Sequence, residues 1–391
     1  MRIVYLSPFA FAPKATVSAR MLPMAAALVR RGHQVTILLP PYDYPAHSGQ
    51  VWERHGVRLE NAHVPAGISG WRLYWHLAHQ LAARAGQLRP DAIHVFKPVG
   101  VAALALWRLR RAPYRLVLDN DDWEGRGGWV DANPYPPAQK LFMIWQEWWA
   151  LRFAPQVTCA SQVLLARTQR LRAGKPADSV HLLPNGPGEW LRASVAQAEA
   201  NRAALRRQLG WDQPMVIYAG NVPLNHDLDI AVHALRALPR ARWAIVAAGE
   251  GLPALRRAVA QAGIGERVIW QGFMPHDQLI AWLVAADVAI YPYRDTLINR
   301  AKCSGKVIDY MVCGKPMVVS DVGMNRTYLE HERSALLTPP GDGEAFRAGL
   351  ARLLTEPAFA AELGRAAQQR VWAHFGWEGR IAALERIYAA R

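Results

Sequence analysis

What most limits the folds open to this chain is an alternation: short apolar runs rich in β-branched residues, separated by segments with helical spacing. Residues 2–7 lead into a helix-like 17–31 and then a strand-like 34–39, and the pattern recurs at 91–96, 114–119 and 156–160. Runs that are apolar throughout belong to strands covered on both faces, as in a parallel sheet flanked by helices. A second series begins at 215–220 and continues at 243–248, 267–271, 287–291 and 316–320. Between the two lies Pro184-Asn185-Gly186-Pro187-Gly188, five residues of turn chemistry where a chain changes direction or domain. The expectation is an α/β protein of two Rossmann-like domains, 1–186 and 187–376. Its tail, 342–391, is helical, broken at Pro357 and near Gly376, with an amphipathic last segment at 377–388.

Length agrees, since 391 residues at about 150 per domain make two or three units. Half of the residues are apolar and a fifth are charged, which excludes a disordered chain. No run approaches the roughly 18 apolar residues of a spanning helix. Residues 1–8 enter a strand-like run without the apolar core and cleavage site of a secretion signal, so the expected location is cytoplasmic. Cys159, Cys303 and Cys313 are few and lack metal-ligand spacing, and read as reduced packing thiols.

The net charge of +15 favours an anionic partner, and it is uneven: 22 basic and 12 acidic residues up to Glu189, 24 and 19 beyond it. A phosphate-bearing substrate, an anionic membrane surface and a merely solvated surface all fit that sign. DNA or RNA does not, because no recognition helix or stacking platform accompanies the cations.

Ligands of open parallel sheets gather beyond the carboxyl ends of the strands, where loops and helix amino termini converge. Three stretches fall there. In the loop from Gly220 through Asn221 to Asp227, Gly220 allows close backbone approach and His226 or Asp227 would cap the next helix; Gly249 sits in a similar turn. Each reads as a phosphate cradle or as a plain turn. Arg300, Lys302 and Lys306 precede or open a helix that carries Asp309 a turn later. Together they outline a nucleoside-diphosphate site, cations and helix dipole on the phosphates and the carboxylate on ribose hydroxyls, with a surface Lys306–Asp309 pair as the plainer reading. The acidic cluster Asp119-Asn120-Asp121-Asp122 offers contacts for a sugar, a chelate for a divalent ion, or turn stabilisation. There is no Walker A sequence and no GxGxxG after a strand.

Of the remaining features, His94 reads as a packing residue and Lys97 as either an anion contact or a solvated lysine. The aromatic segment 140–153 reads as domain core rather than as an interfacial helix, and Arg108-Leu109-Arg110-Arg111 as a solvated helix end before a polyanion patch.

In this order the pieces resemble the GT-B glycosyltransferases, in particular the large retaining family numbered 4. The resemblance rests on the opening strand and the helix ending Arg30-Arg31-Gly32-His33-Gln34-Val35-Thr36, on Asp91-Ala92-Ile93-His94 and Leu183-Pro184-Asn185-Gly186. It continues through 306–320, Leu337-Thr338-Pro339-Pro340-Gly341-Asp342 and Phe375-Gly376-Trp377-Glu378. It implies two domains facing across a cleft, with the last helix, about 377–391, crossing back to the first. It also implies retaining transfer of a sugar from a nucleotide-diphosphate donor, held by the second domain, to a hydroxyl acceptor held by the first. No metal and no cofactor beyond the nucleotide sugar are implied, and peripheral contact with the inner face of a membrane is compatible with it.

Carried over residue by residue, Asp309 stands for the family's ribose-binding glutamate and Lys306 matches its lysine, while the first glutamate of the pair falls at Ala301. The diglycine near the first strand falls at Ala15 and Thr16. The usual arginine and lysine of the Gly220 loop are replaced by Asn221 and by Asn225 or His226, and the histidine before the cleft is replaced within residues 119–122. The expected donor site is thus Asp309, Lys306, Lys302, Arg300, Gly220, Asn221, His226, Gly249, Phe273, Met274, Ala15 and Thr16, with Asn120, Asp121 and Asp122 on the catalytic side. A non-catalytic GT-B-like binder of polyanions or membranes, and a sugar-nucleotide epimerase, are the rival readings.

Overall fold

Parallel strands need crossovers, and the order of those crossovers decides where a sheet leaves a crevice. The computed structural model of the chain describes residues 1–390 apart from 13–15 and 225, and the backbone alone of Asp277. The chain divides into two units: Met1–Gly188 with Ala301–Cys303 and Gly376–Arg391, and Glu189–Arg300 with Ser304–Phe375.

The first unit holds an eight-stranded sheet of β1 (Arg2–Leu6), β2 (Gln34–Leu39), β3 (Val51–Arg54), β4 (Val57–Asn61), β5 (Ala92–Phe96), β6 (Arg115–Asn120), β7 (Gln156–Cys159) and β8 (Val180–Leu182). Their order is β3-β4-β2-β1-β5-β6-β7-β8, parallel except for the β3–β4 hairpin. Ile3 pairs with Val35 on one side and Ala92 on the other, so the strand order reverses between β1 and β5. That reversal is the crevice of the first sheet.

The β3–β4 hairpin and β8 were not anticipated. Val51-Trp52-Glu53-Arg54 is an exposed edge strand with too little apolar character to stand out, and the hairpin turns on His55 and Gly56, both at positive φ. Helices α1 (Leu22–Arg30), α2 (Gly70–Gln87), α3 (Gly100–Leu109), α4 (Pro137–Phe153) and α5 (Gln162–Leu171) cover the sheet. Ahead of α1 runs a π-helical turn, Thr16–Met21, which buries Arg20.

The second unit repeats the plan with β9 (Met215–Asn221), β10 (Arg242–Ala248), β11 (Val268–Gln271), β12 (Val288–Tyr291), β13 (Met317–Ser320) and the unanticipated β14 (Leu336–Thr338). The order β11-β10-β9-β12-β13-β14 is parallel throughout and reverses between β9 and β12. Trp243, Ile245, Leu255 and Phe346 lie in its core. The helices of this unit include α6 (Asp229–Arg236), α7 (His276–Ala285), α8 (Gly305–Val312) and α9 (Pro357–Phe375).

The last helix, α10 (Ile381–Ala389), packs on the first unit, where Trp377 Nε1 donates to Gly186 O at 2.9 Å and the Tyr388 hydroxyl meets that of Tyr5 at 2.9 Å. Glu378, ahead of this helix, pairs with Arg30, and Glu385 within it pairs with His33. The three cysteines are buried and none is in a disulfide.

Candidate functional site

In the second unit, β9 ends at the strand reversal with Gly220 at φ +132, a conformation that side-chain-bearing residues rarely adopt. The Lys306 side chain lies directly over it: a Cβ at Gly220 would fall 1.7 Å from Lys306 Cε. From the first turn of α8, Lys306 Nζ stands 5.8 Å from the ring centroids of both Tyr218 and Tyr291. Lys306 and Gly220 therefore share one spot at the β9–β12 reversal. Tyr310, one turn along α8, fixes the helix to the strand, because its hydroxyl accepts from Ala219 N at 3.1 Å and donates to Ile290 O.

Gly249, at φ +134, packs on Val222 O and the Asn221 side chain, and Gly251 packs on Pro223 O and His226; a Cβ at either would meet backbone oxygen at 2.2 Å. Asn221, His226 and Gly249 are thus parts of one tightly stacked pair of loops. Asp309 Oδ1 lies 3.0 Å from His276 Nε2 at the start of α7. His276 follows Phe273, which is exposed, and Met274, which is buried. Sequence reasoning missed His276, since an imidazole opening a helix after Pro275 carries no signal without the register of α7 against α8.

Several expectations are corrected here. The Arg300 guanidinium pairs with Asp295 at an exposed site. Lys302 belongs to the short piece that groups with the first unit, where its ammonium lies 5.3 Å from the Trp129 ring. Asp227 does not cap α6, because its carboxylate accepts from Arg294 and Asn299, while His226 Nδ1 accepts from Leu228 N. Thr16 opens the π-helical turn, and Ala15 and Asn225 lie outside the described residues.

In the first unit, the ends of β5 and β6 carry a buried ionic system. Lys97, at φ +69 and almost fully buried, places Nζ 3.1 Å from Asp121, 2.8 Å from Asp122 and 2.5 Å from Glu124. It is not a solvated lysine, and the anions it meets are the protein's own carboxylates. Burial opposes its charge, yet the three carboxylates hold its pKa well above the ordinary lysine value. Burial in turn raises Asp121 to about 7, against the pull of Lys97, and raises Glu124 as well. Asp121, Asp122 and Glu124 are the one carboxylate group among the described residues close enough to grip a metal ion, and the lysine ammonium already stands among them as the counter-charge.

Asn120 is turned inward: it is fully buried, donates to Thr168 at 3.2 Å, and so is not a sugar contact. Asp119 is clasped in two places by Arg20, Nε and Nη2 each at 2.6 Å, and Arg20 also donates to Asn185 and Leu183 O. Burial would raise the Asp119 carboxyl, but Arg20 more than offsets this and holds it below its usual value.

The hydrogen-bond direction can be followed onward from Asp119. An ionised carboxylate only accepts, so the Thr158 hydroxyl donates to it at 2.5 Å and must accept from His94 Nε2–H at 3.2 Å. Burial lowers His94 to about 3, so the ring is neutral, its Nδ1 accepts from Tyr388, and Tyr388 accepts from Tyr5. His94 is a packing residue within a one-way chain that reaches α10.

Profiles of known families match this architecture in two places: "Glycosyl transferase 4-like domain" over residues 16–186 and "Glycosyl transferases group 1" over 213–356. A D-inositol 3-phosphate glycosyltransferase of Xylanimonas cellulosilytica is 30% identical across 94% of this chain and 90% of its own. A 2-deoxystreptamine N-acetyl-D-glucosaminyltransferase of Streptomyces fradiae is 26% identical over the whole of this chain and 97% of its own. Among solved structures, sucrose-phosphate synthase from Thermosynechococcus elongatus superposes with a TM-score of 0.76 at 22% identity, covering 99% of this chain and 98% of that one. Anabaena HepE in complex with UDP and glucose superposes at 0.71 and 20%, covering 99% of each.

Proposed function

Since the chain belongs to the GT-B glycosyltransferases of the group 1 and 4-like type, we propose that it moves a hexose from a nucleoside-diphosphate donor to a hydroxyl acceptor with retention of the anomeric configuration. The observation that carries the reading is Lys306 laid over Gly220 at the strand reversal of the second unit. A glycine there makes room for the lysine side chain against the backbone, and the ammonium together with the amino end of α8 supplies positive charge for a diphosphate. Asp309, with Oδ1 engaged by His276, offers Oδ2 to the ribose hydroxyls. The UDP and glucose bound by HepE support a uridine diphosphate sugar as the first donor to try.

In this reaction the bond between C1 of the sugar and the diphosphate oxygen breaks, and a bond from C1 to the acceptor oxygen forms on the same face. The acceptor proton passes to the departing phosphate oxygen, so no protein nucleophile is needed. We assign a polar contact with the sugar to one carboxylate, Asp121 or Asp122. We assign the positive charge beside them to Lys97, so turnover would need no divalent ion.

Titration with UDP, GDP and their sugars tests the reading. A nucleoside diphosphate should bind, and Lys306→Ala should weaken it by about tenfold or more through loss of a charge-assisted contact while the circular dichroism stays unchanged. Failure of every nucleoside diphosphate to bind, or an unchanged affinity in Lys306→Ala, overturns it.

A further inference from the structure

Helix α4 is built inside out. Its polar residues Gln146 and Glu147 are buried, the latter 1% exposed, while Leu141, Phe142, Trp145, Trp148 and Phe153 face solvent. The aromatic segment is therefore not domain core. Its rotation is fixed from within: Gln146 Oε1 accepts from Gly100 N at 3.1 Å, and Glu147 is clasped by Arg167 and accepts from Glu124 N at 3.1 Å. At 100° per residue, positions 141, 142, 145, 148 and 149 fall within an arc of about 120°. Rings along that arc neighbour one another, Phe142 to Trp145 at 5.8 Å, Trp145 to Trp149 at 6.3 Å and Trp149 to Phe153 at 6.3 Å.

The surface does not end with α4. Helix α3 packs between α4 and α2, and α2 adds Trp71, 73% exposed, with Tyr74 and Trp75. Trp75 meets Trp107 of α3 at 6.2 Å, and the Arg108 and Arg110 guanidinium groups lie over Trp75 and Trp107 at 5.4 and 3.9 Å. Arg72 stands over Trp71 in the same way, at 5.7 Å.

Charge selects the occupant. Helices α2 and α3 contain no Asp or Glu, and the one carboxylate of α4 is the buried Glu147. The exposed chemistry is indole, phenyl and cation, in the half of the sequence that carries most of the positive excess. An apolar patch this broad marks an interface. Tryptophans take the depth of lipid headgroups, and arginines beside them reach phosphates. A second copy of the chain is the poorer partner, since a two-fold contact would set these arginines against their own counterparts. No described helix is long and apolar enough to cross a bilayer, so the contact is one of docking.

We propose that the α2–α3–α4 face of the first unit docks on the surface of an anionic lipid bilayer, its rings at headgroup depth and its arginines on lipid phosphates. This goes beyond sugar transfer and stands or falls independently of it. Cosedimentation of the full chain with phosphatidylcholine vesicles, with and without about a third phosphatidylglycerol, tests it. Binding to the anionic vesicles, weakened by added salt, is expected. The variant Phe142→Ser/Trp145→Ser/Trp148→Ser should lower partitioning by at least about tenfold while nucleotide binding and circular dichroism persist. Should that variant misfold, Arg108→Glu/Arg110→Glu serves in its place and should abolish the preference for anionic vesicles. The proposal is overturned by absence of binding to anionic vesicles, by equal binding to neutral ones, or by partitioning that survives both variants. It is equally overturned if the chain dimerises without lipid and the serine variant makes it monomeric.

Discussion

The two sheets reverse strand order in the same way, yet they fill the resulting crevice differently. In the first unit the cations there face carboxylates: Lys97 among Asp121, Asp122 and Glu124, and Arg20 on Asp119. In the second, Lys306 faces glycine backbone and tyrosine rings. One crevice buries its lysine among three carboxylates, and the other lays a half-buried lysine over a glycine. The same topology thus yields a structural ionic core in one unit and a candidate phosphate site in the other.

The sharpest way to break this contrast is to remove one cation from each side. Arg20→Met leaves Asp119 charged, buried and without its clasp, and is expected to cost about 3–5 kcal/mol in chemical denaturation. Lys306→Met, in the half-buried second crevice, is expected to cost less than about 1 kcal/mol. If Arg20→Met were tolerated as well as Lys306→Met, the first crevice would not be the structural one.

How much of this was legible in the sequence follows the same division. The apolar strands announced themselves, because strands covered on both faces must be apolar throughout. The edge elements β3, β8 and β14 did not, being short or half exposed. That Gly220 closes a strand and Lys306 opens a helix was legible, because turn chemistry marks strand and helix ends. The Lys97 system was not, since Lys97 and Asp122 lie 25 positions apart and nothing in either segment reveals that β5 and β6 are neighbours. The aromatic segment misled for a related reason: composition gives no helix rotation, and here the buried polar pair, Gln146 and Glu147, sets it.

A smaller effect sharpens the comparison through pH. His94 is held neutral in the fold, with its pKa lowered by burial to about 3, against about 6.5 in the unfolded chain. The unfolded chain therefore binds the proton first, and stability is lost as pH falls below about 6.5, at up to about 1.4 kcal/mol per unit. Between pH 6.5 and 5 that amounts to about 2 kcal/mol. Asp121, raised to about 7, acts with the opposite sign over the whole of this window, and the Asp119 clasp fades only at lower pH because its carboxyl is held below its usual value. Comparing the chain with His94→Gln isolates the histidine: urea denaturation at the two pH values should give a slope shallower by about that amount in the variant. Equal slopes would remove His94 from the first unit's buried polar chain.

The smallest effect concerns how the first unit is completed. Its polar chain passes through Tyr388, so the sheet relies on a segment that arrives from the far end of the sequence. Trp377 anchors the start of that segment through its bond to Gly186 O. Trp377→Phe keeps most of the buried ring and removes the donor, leaving a buried carbonyl unmet, and is expected to cost about 1–2 kcal/mol. Because α10 carries Tyr388, the loss should appear first in the first unit, as faster amide exchange in β1 and β5, with β9 and β12 unchanged. Equal acceleration in both sheets would mean that α10 stabilises the whole chain rather than the first crevice, and the contrast between the two units would then have to be drawn without it.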